Sequence, residues 1–113
     1  MDKKDTTAHR MYNEAIEAID HSLVKKSSSG LVYVADMRYG RLEHKMGHLA
    51  CFCAGMFALG GYESAHSETR NKYFIQLGAD VANTCHESYA RTKTKLGPEV
   101  FYFTGELDAQ IGK

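Results

Sequence analysis

The chain has 113 residues, 43% of them apolar and 25% charged, the proportions of an ordinary globular domain or of a piece of one. Fourteen basic and fourteen acidic residues cancel, so no strong field draws in nucleic acid or an anionic membrane surface. No run of about 18 apolar residues occurs, and the charged opening Met1-Asp2-Lys3-Lys4-Asp5 precedes no apolar stretch, which excludes a simple transmembrane helix or a secretory signal within these residues.

The first predicted element is a helix from about Thr7 to Lys26, with Asp5 or Thr6 as its cap. Tyr12, Ile16, Ile19 and Leu23 recur at three- and four-residue spacing and line one face. Ser27-Ser28-Ser29-Gly30 ends it, and Leu31 to Ala35 reads as a short strand rich in β-branched and aromatic residues. Arg38-Tyr39-Gly40-Arg41 lacks the GxxxxGK[ST] spacing of a phosphate loop.

A second helix is predicted over about Glu43 to Leu59, stopped by Gly60-Gly61. Met46, Leu49, Ala50, Phe52, Cys53, Met56, Phe57 and Leu59 leave it hardly any polar face, and such a helix must be covered all round. The third helix spans about Ala65 to Thr92, with Phe74, Leu77, Val81, Cys85 and Tyr89 along one stripe. Leu96-Gly97-Pro98-Glu99 breaks it, Val100 to Phe103 reads as extended, and residues 104–113 read as a loop or frayed tail. Two amphipathic helices cannot cover a fully apolar third, so an apolar patch that needs neighbours is expected.

Three cysteines, Cys51, Cys53 and Cys85, leave an odd one whatever pairs. A Cys51–Cys53 bridge would close a strained tight loop, which leaves Cys85 with one of the other two. His44 and His48 stand four residues apart, and on a helix two imidazoles with that spacing share a face on which a zinc ion could sit, with a cysteine as third ligand. Against zinc, Cys53 points away from that side, and Lys45 stands where a metalloprotease HExxH has its glutamate. Glu99 follows a proline at a helix end, where a turn can aim a carboxylate into a cleft, but a glycosidase needs a second carboxylate and spacing alone does not supply one. For Asp36, Glu43 and Glu87 surface or capping roles are the favoured reading.

Two stretches carry more. Lys45-Met46-Gly47-His48-Leu49-Ala50-Cys51-Phe52, continuing through Gly55-Met56-Phe57-Ala58-Leu59-Gly60, closely resembles a signature of glycoside hydrolase family 47, the class I α-mannosidases. Asn83-Thr84-Cys85-His86-Glu87-Ser88-Tyr89-Ala90-Arg91-Thr92, running on to Lys95-Leu96-Gly97-Pro98-Glu99, resembles a second. The likeness extends over about Thr7 to Phe103. Gly47 in the first stretch and the run from Cys85 to Thr92 are more similar to the Golgi-type enzymes than to the endoplasmic reticulum type, whose equivalent reads DHLVCF.

The resemblance implies an all-α fold with short β segments, three helices of an (α/α)7 barrel. It implies inverting hydrolysis of terminal α-1,2-linked mannose from high-mannose N-glycans, in the lumen of the Golgi or endoplasmic reticulum, by a parent protein anchored in the membrane. It further implies a Cys51–Cys85 disulfide, with Cys53 left as a free, buried thiol. His48 matches a histidine that lines the mannose pocket, and Glu99 matches an essential active-site acid. No metal ligand is expected here: the family's calcium-ligating threonine and its acids in the FE, GxDSYYEY and RPE motifs match nothing in these residues. The chain is therefore expected to be one partial domain that needs the remaining barrel helices as partners and is inactive alone. Two other classes of function stand beside this one: a lectin-like glycoprotein-degradation relative of the same family, and a small zinc-binding module built on His44, His48 and a cysteine.

Overall fold

A computed structural model describes residues 5–63 and 67–103, together with the backbone of 110–111. Helix α1 (Thr6–Ser22) opens on Asp5, whose carboxylate accepts the Ala8 N–H at 2.9 Å and satisfies one of the orphan donors of the first turn. Ile16 is its buried anchor, and Tyr12, Ile19 and Leu23 pack beside it against the core, as their spacing predicts.

The helix stops at Ser22, short of the predicted Lys26, because Val24–Lys26 is a strand (β1) paired antiparallel with Val32–Val34 (β2). Three β-branched valines in this register outweigh the helical periodicity that Leu23 continues. The serine run becomes the hairpin turn. The Ser27 hydroxyl accepts the Leu31 N–H, and Gly30 takes φ +95°, which a side chain would resist. A second hairpin joins Asp36–Arg38 (β3) to Arg41–Glu43 (β4) through Tyr39 and Gly40, both at positive φ as a type I′ turn requires.

The largest departure from the periodicity follows. Glu43 to Gly47 is not helical: Lys45–Gly47 (β5) pairs antiparallel with Val100–Tyr102 (β6), with Met46 opposite Phe101 and Gly47 opposite Val100. Met46 and Phe101 are fully buried against each other's strand, and the cross-strand partner overrides a helix that Gly47 would have weakened in any case. Gln110–Ile111 (β7) adds to the far edge of β6, so part of the expected frayed tail is strand; Thr104 to Ala109 lie outside the described residues.

After β5 a short 3-10 helix, His48–Phe52, leads into α2 (Cys53–Glu63), which runs through Gly60 and Gly61 where a stop was expected. Both glycines allow close approach. A Cβ on Gly61 would lie 2.6 Å from the Asn71 carbonyl oxygen, and one on Gly60 would strike the Tyr12 ring. Helix α3 (Glu68–Ala90) is capped by Ser67, whose hydroxyl accepts the Arg70 N–H; the predicted start at Ala65 lies outside the described residues. Gly78 lets α3 settle on the α2 backbone, since a Cβ there would stand 2.6 Å from the Ala54 carbonyl oxygen. Phe57 and Phe74 stack in the same interface, with each fully buried aromatic stabilising the fold by roughly 1.5–3 kcal/mol.

Arg70 ties α3 to α1. Its guanidinium bonds Glu17 and Asp20, lies over the Tyr73 and Phe74 rings, and shares Asp20 with the Tyr73 hydroxyl. Those bonds, Glu17 first, push the Arg70 pKa above its ordinary value against the opposing effect of burial. Three large apolar side chains on the 3-10 helix and α2 are open to solvent: Leu49 is 81%, Phe52 85% and Leu59 63% exposed. Among the described residues no helix is long and apolar enough to cross a membrane.

Candidate functional site

The pairing of β5 with β6 brings together the two residues that the sequence motifs single out. Past Gly47 and Val100 the ladder makes one more bond, from the His48 N–H to the Glu99 carbonyl at 2.7 Å, so His48 and Glu99 are cross-strand neighbours. No local window shows this, because the strands lie at opposite ends of the α2–α3 hairpin. Glu99 is exposed and His48 half-buried.

A third side chain completes the group. Tyr89, in the last turn of α3, brings its hydroxyl to 3.2 Å from His48 Nε2, with the rings edge to face at 5.7 Å between centroids. Its ring in turn covers Gly97, where a Cβ would lie 2.7 Å from the phenol carbon. The turn carrying Glu99 is thus docked on Tyr89, and Tyr89 on His48. Thr92 holds the turn's other end, its hydroxyl lying 2.9 Å from the Tyr89 carbonyl and 3.1 Å from that of Leu96. Lys95, at φ 61°, donates to the Ala90 carbonyl at the end of α3, where a cation is favoured. Periodicity had placed Tyr89 on the core stripe; at 38% exposure it is the stripe's one open member, and Ser88 is buried in its stead.

The cysteines fasten the same two elements. Cys51 and Cys85 form a disulfide with Cα atoms 6.0 Å apart, the pairing expected from the motif resemblance. Cys53 is free, as expected, but half-buried where a buried thiol was expected, and burial pushes its thiol pKa up, which favours the inert thiol over the thiolate.

The zinc arrangement does not form. His44 and His48 are separated by an extended strand, not one helical turn, and at a rise of about 3.3 Å per residue they stand about 13 Å apart along the chain, too far for one ion. His44 instead bonds the Tyr33 hydroxyl through Nδ1 at 2.6 Å, and Cys51 is committed to its bridge. Among the described residues no group of three or more His, Cys, Asp or Glu could hold a metal ion. A recess of about 220 Å³ between the β1–β2 hairpin and α3, lined by Val24, Val32, Tyr73 and Leu77 among others, shares no residue with the His48–Glu99 group.

The architecture is that of part of an α/α barrel. It matches an α-1,2-mannosidase structure from Trichoderma reesei with a TM-score of 0.74 at 21% identity, covering 96% of this chain and 22% of that one, a likeness of fold. The sequence matches glycosyl hydrolase family 47 over residues 1–111, and the chain belongs to that family. Its relatives include mannosyl-oligosaccharide 1,2-alpha-mannosidase IA of Sus scrofa, 53% identical over 108 residues, and the Drosophila melanogaster alpha-1,2-mannosidase IA, 47% identical over 106. The alignments cover 96% and 94% of this chain but 16% of each relative's length.

Proposed function

We propose that the chain is the part of an α-1,2-mannosidase catalytic barrel that presents Glu99 as an active-site acid and His48 as a sugar contact, in the trimming of terminal α-1,2-linked mannose from high-mannose N-glycans. The observation that carries this is the juxtaposition of His48 and Glu99 across β5 and β6, two residues that the motif resemblance picks out separately. Inverting glycosidases place an acid and a base on opposite sides of the scissile bond, about 6.5–9.5 Å apart to admit a water. Glu99 supplies one carboxylate at the rim, as acid or as electrostatic support, while the imidazole of His48 can bond a sugar hydroxyl and fix the ring's orientation. The calcium ion that the family resemblance implies would be held by residues outside this chain.

A lumenal compartment of the secretory pathway fits the Cys51–Cys85 bridge, since disulfides persist where the surroundings are oxidising. The exposed Leu49, Phe52 and Leu59 fit burial against further barrel helices, which makes those helices partners for this surface.

The test is a graft. These residues replace the corresponding segment of the Sus scrofa relative, and mannose release from an α-1,2-linked high-mannose glycan is followed. The hybrid is expected to be active, and Glu99→Gln in it to lose at least about a hundredfold in kcat. His48→Ala is expected to act mainly on KM. A fully active Glu99→Gln hybrid would sink the assignment. The 113-residue chain alone is expected to release no mannose, and release by it would refute that expectation.

A further inference from the structure

Two tyrosine–histidine pairs, His44 with Tyr33 and His48 with Tyr89, differ in length. Hydroxyl donors bond at about 2.5–3.0 Å and ring N–H donors at about 2.7–3.2 Å. Tyr33 stands 2.6 Å from His44 Nδ1, shorter than a ring N–H donor sets it, which favours the phenol as the donor. Tyr89 stands 3.2 Å from His48 Nε2, the far end of the N–H range and beyond the hydroxyl range.

A second observation points the same way. The other ring nitrogen of His48, Nδ1, is buried and has no partner among the described residues. A buried N–H without an acceptor is rarer and costlier than a buried acceptor without a donor. Both observations favour a neutral ring with its proton on Nε2 and the Nδ1 lone pair facing inward. Tautomer choice follows from the bond the other nitrogen makes, and here Nε2–H has an acceptor while Nδ1–H would have none.

We infer that His48 Nε2–H donates to the Tyr89 hydroxyl, and that Tyr89 in turn offers its own O–H outward as a ligand-binding donor beside Glu99. A phenol has one hydrogen and two lone pairs, so a hydroxyl that accepts from His48 keeps its hydrogen for another acceptor. Accepting from an imidazole N–H polarises the phenol and makes it the better donor. Tyr89 is 38% exposed, and Gly97 beneath its ring sets where that hydroxyl stands. The acceptor that suits it is a neutral hydroxyl oxygen, as on a pyranose. The sugar as ligand rests on the proposed function above; the hydrogen-bond direction does not.

The experiment is a long-range proton–nitrogen ring spectrum of the full 15N-labelled chain at about pH 8, where imidazoles are neutral. His48 is expected to show the proton on Nε2, with His44 as internal reference in the same tautomer. A proton on His48 Nδ1 overturns the inference, and this measurement needs no variant. In Tyr89→Phe the His48 ring nitrogens are expected to shift while those of His44 and the amide spectrum stay; unmoved His48 nitrogens overturn the contact. Titration with α-1,2-linked mannobiose reads the ligand role, with the variant expected to bind about three- to tenfold more weakly. Equal binding by both chains removes Tyr89 from the ligand site. No perturbation in the unsubstituted chain removes the sugar and the ligand role together, and the ring spectrum still decides the direction of the bond.

Discussion

Cys51 and Cys85 are joined one turn of the 3-10 helix beyond His48 and one turn of α3 before Tyr89, so the bridge and the His48–Tyr89 contact fasten the same two elements. The bridge closes a loop with a sequence separation of 34. Chain-entropy estimates for a loop of that size give a stabilisation of about 4 kcal/mol, acting through the unfolded chain.

Cys51→Ser and Cys85→Ser are therefore each expected to lower the unfolding free energy by about that amount. Cys53→Ser, which leaves the bridge intact, should change it far less. Denaturant unfolding with and without reductant checks this. An unbridged variant with an unchanged midpoint would show that the bridge contributes nothing.

Gly97 supports the site through close contact. A Cβ at that position would stand 2.7–3.0 Å from three atoms of the Tyr89 ring, so Gly97→Ala must push the ring or the turn aside. The expected cost is about 1–3 kcal/mol, and most of it should vanish in a Tyr89→Ala background, where the ring is gone. Additive costs in the double-mutant cycle would show that the turn does not rest on Tyr89.

Glycines in the helix pair should divide by what they face. Gly78→Ala would place a methyl 2.6 Å from the Ala54 carbonyl oxygen, a backbone atom that cannot rotate away, and is expected to cost about 1–3 kcal/mol by forcing α2 and α3 apart. Gly55, on the exposed side of α2, meets nothing within 4 Å, so Gly55→Ala should stabilise by up to about 1 kcal/mol through helix propensity alone. Chemical denaturation of the two variants settles both signs.

These details show which parts were legible from sequence. The Ile16 face of α1, the Phe74-to-Cys85 stripe of α3 and the strand at Val32–Val34 follow from periodicity and residue type, because their determinants lie within a few residues. The strand at Lys45–Gly47 does not, because its partner Val100–Tyr102 lies beyond two helices, and a window around Met46 sees only apolar residues at helical spacing. His48 and Glu99 could be named through their motifs, but their adjacency is a product of that same non-local pairing. Tyr89 was misassigned for a related reason. Its aromatic body fits a core stripe, and only its position four residues past Cys85, at the open end of the helix, turns the hydroxyl to His48.

Tyr73 gives a prediction in pH. Burial, and then its bond to the Asp20 carboxylate, push its phenol up from 10.0 to about 12. A phenol is neutral when protonated, so a folded-state pKa above the unfolded one means that the native protein holds this proton more tightly. Its stabilising contribution is complete below about pH 10 and is lost as pH rises toward about 12. Tyr73 is 41% exposed, so solvent screens the contribution, and the pH window is a better signature than its size. Tyrosinate absorbance should show a late-titrating phenol that Tyr73→Phe removes. The stability difference between the unsubstituted chain and the variant should shrink across the same window, since above it the unsubstituted chain places a phenolate against Asp20. An absorbance curve whose late phase survives the substitution would assign that phase elsewhere, with Tyr12, also raised by burial, as the next phenol to replace.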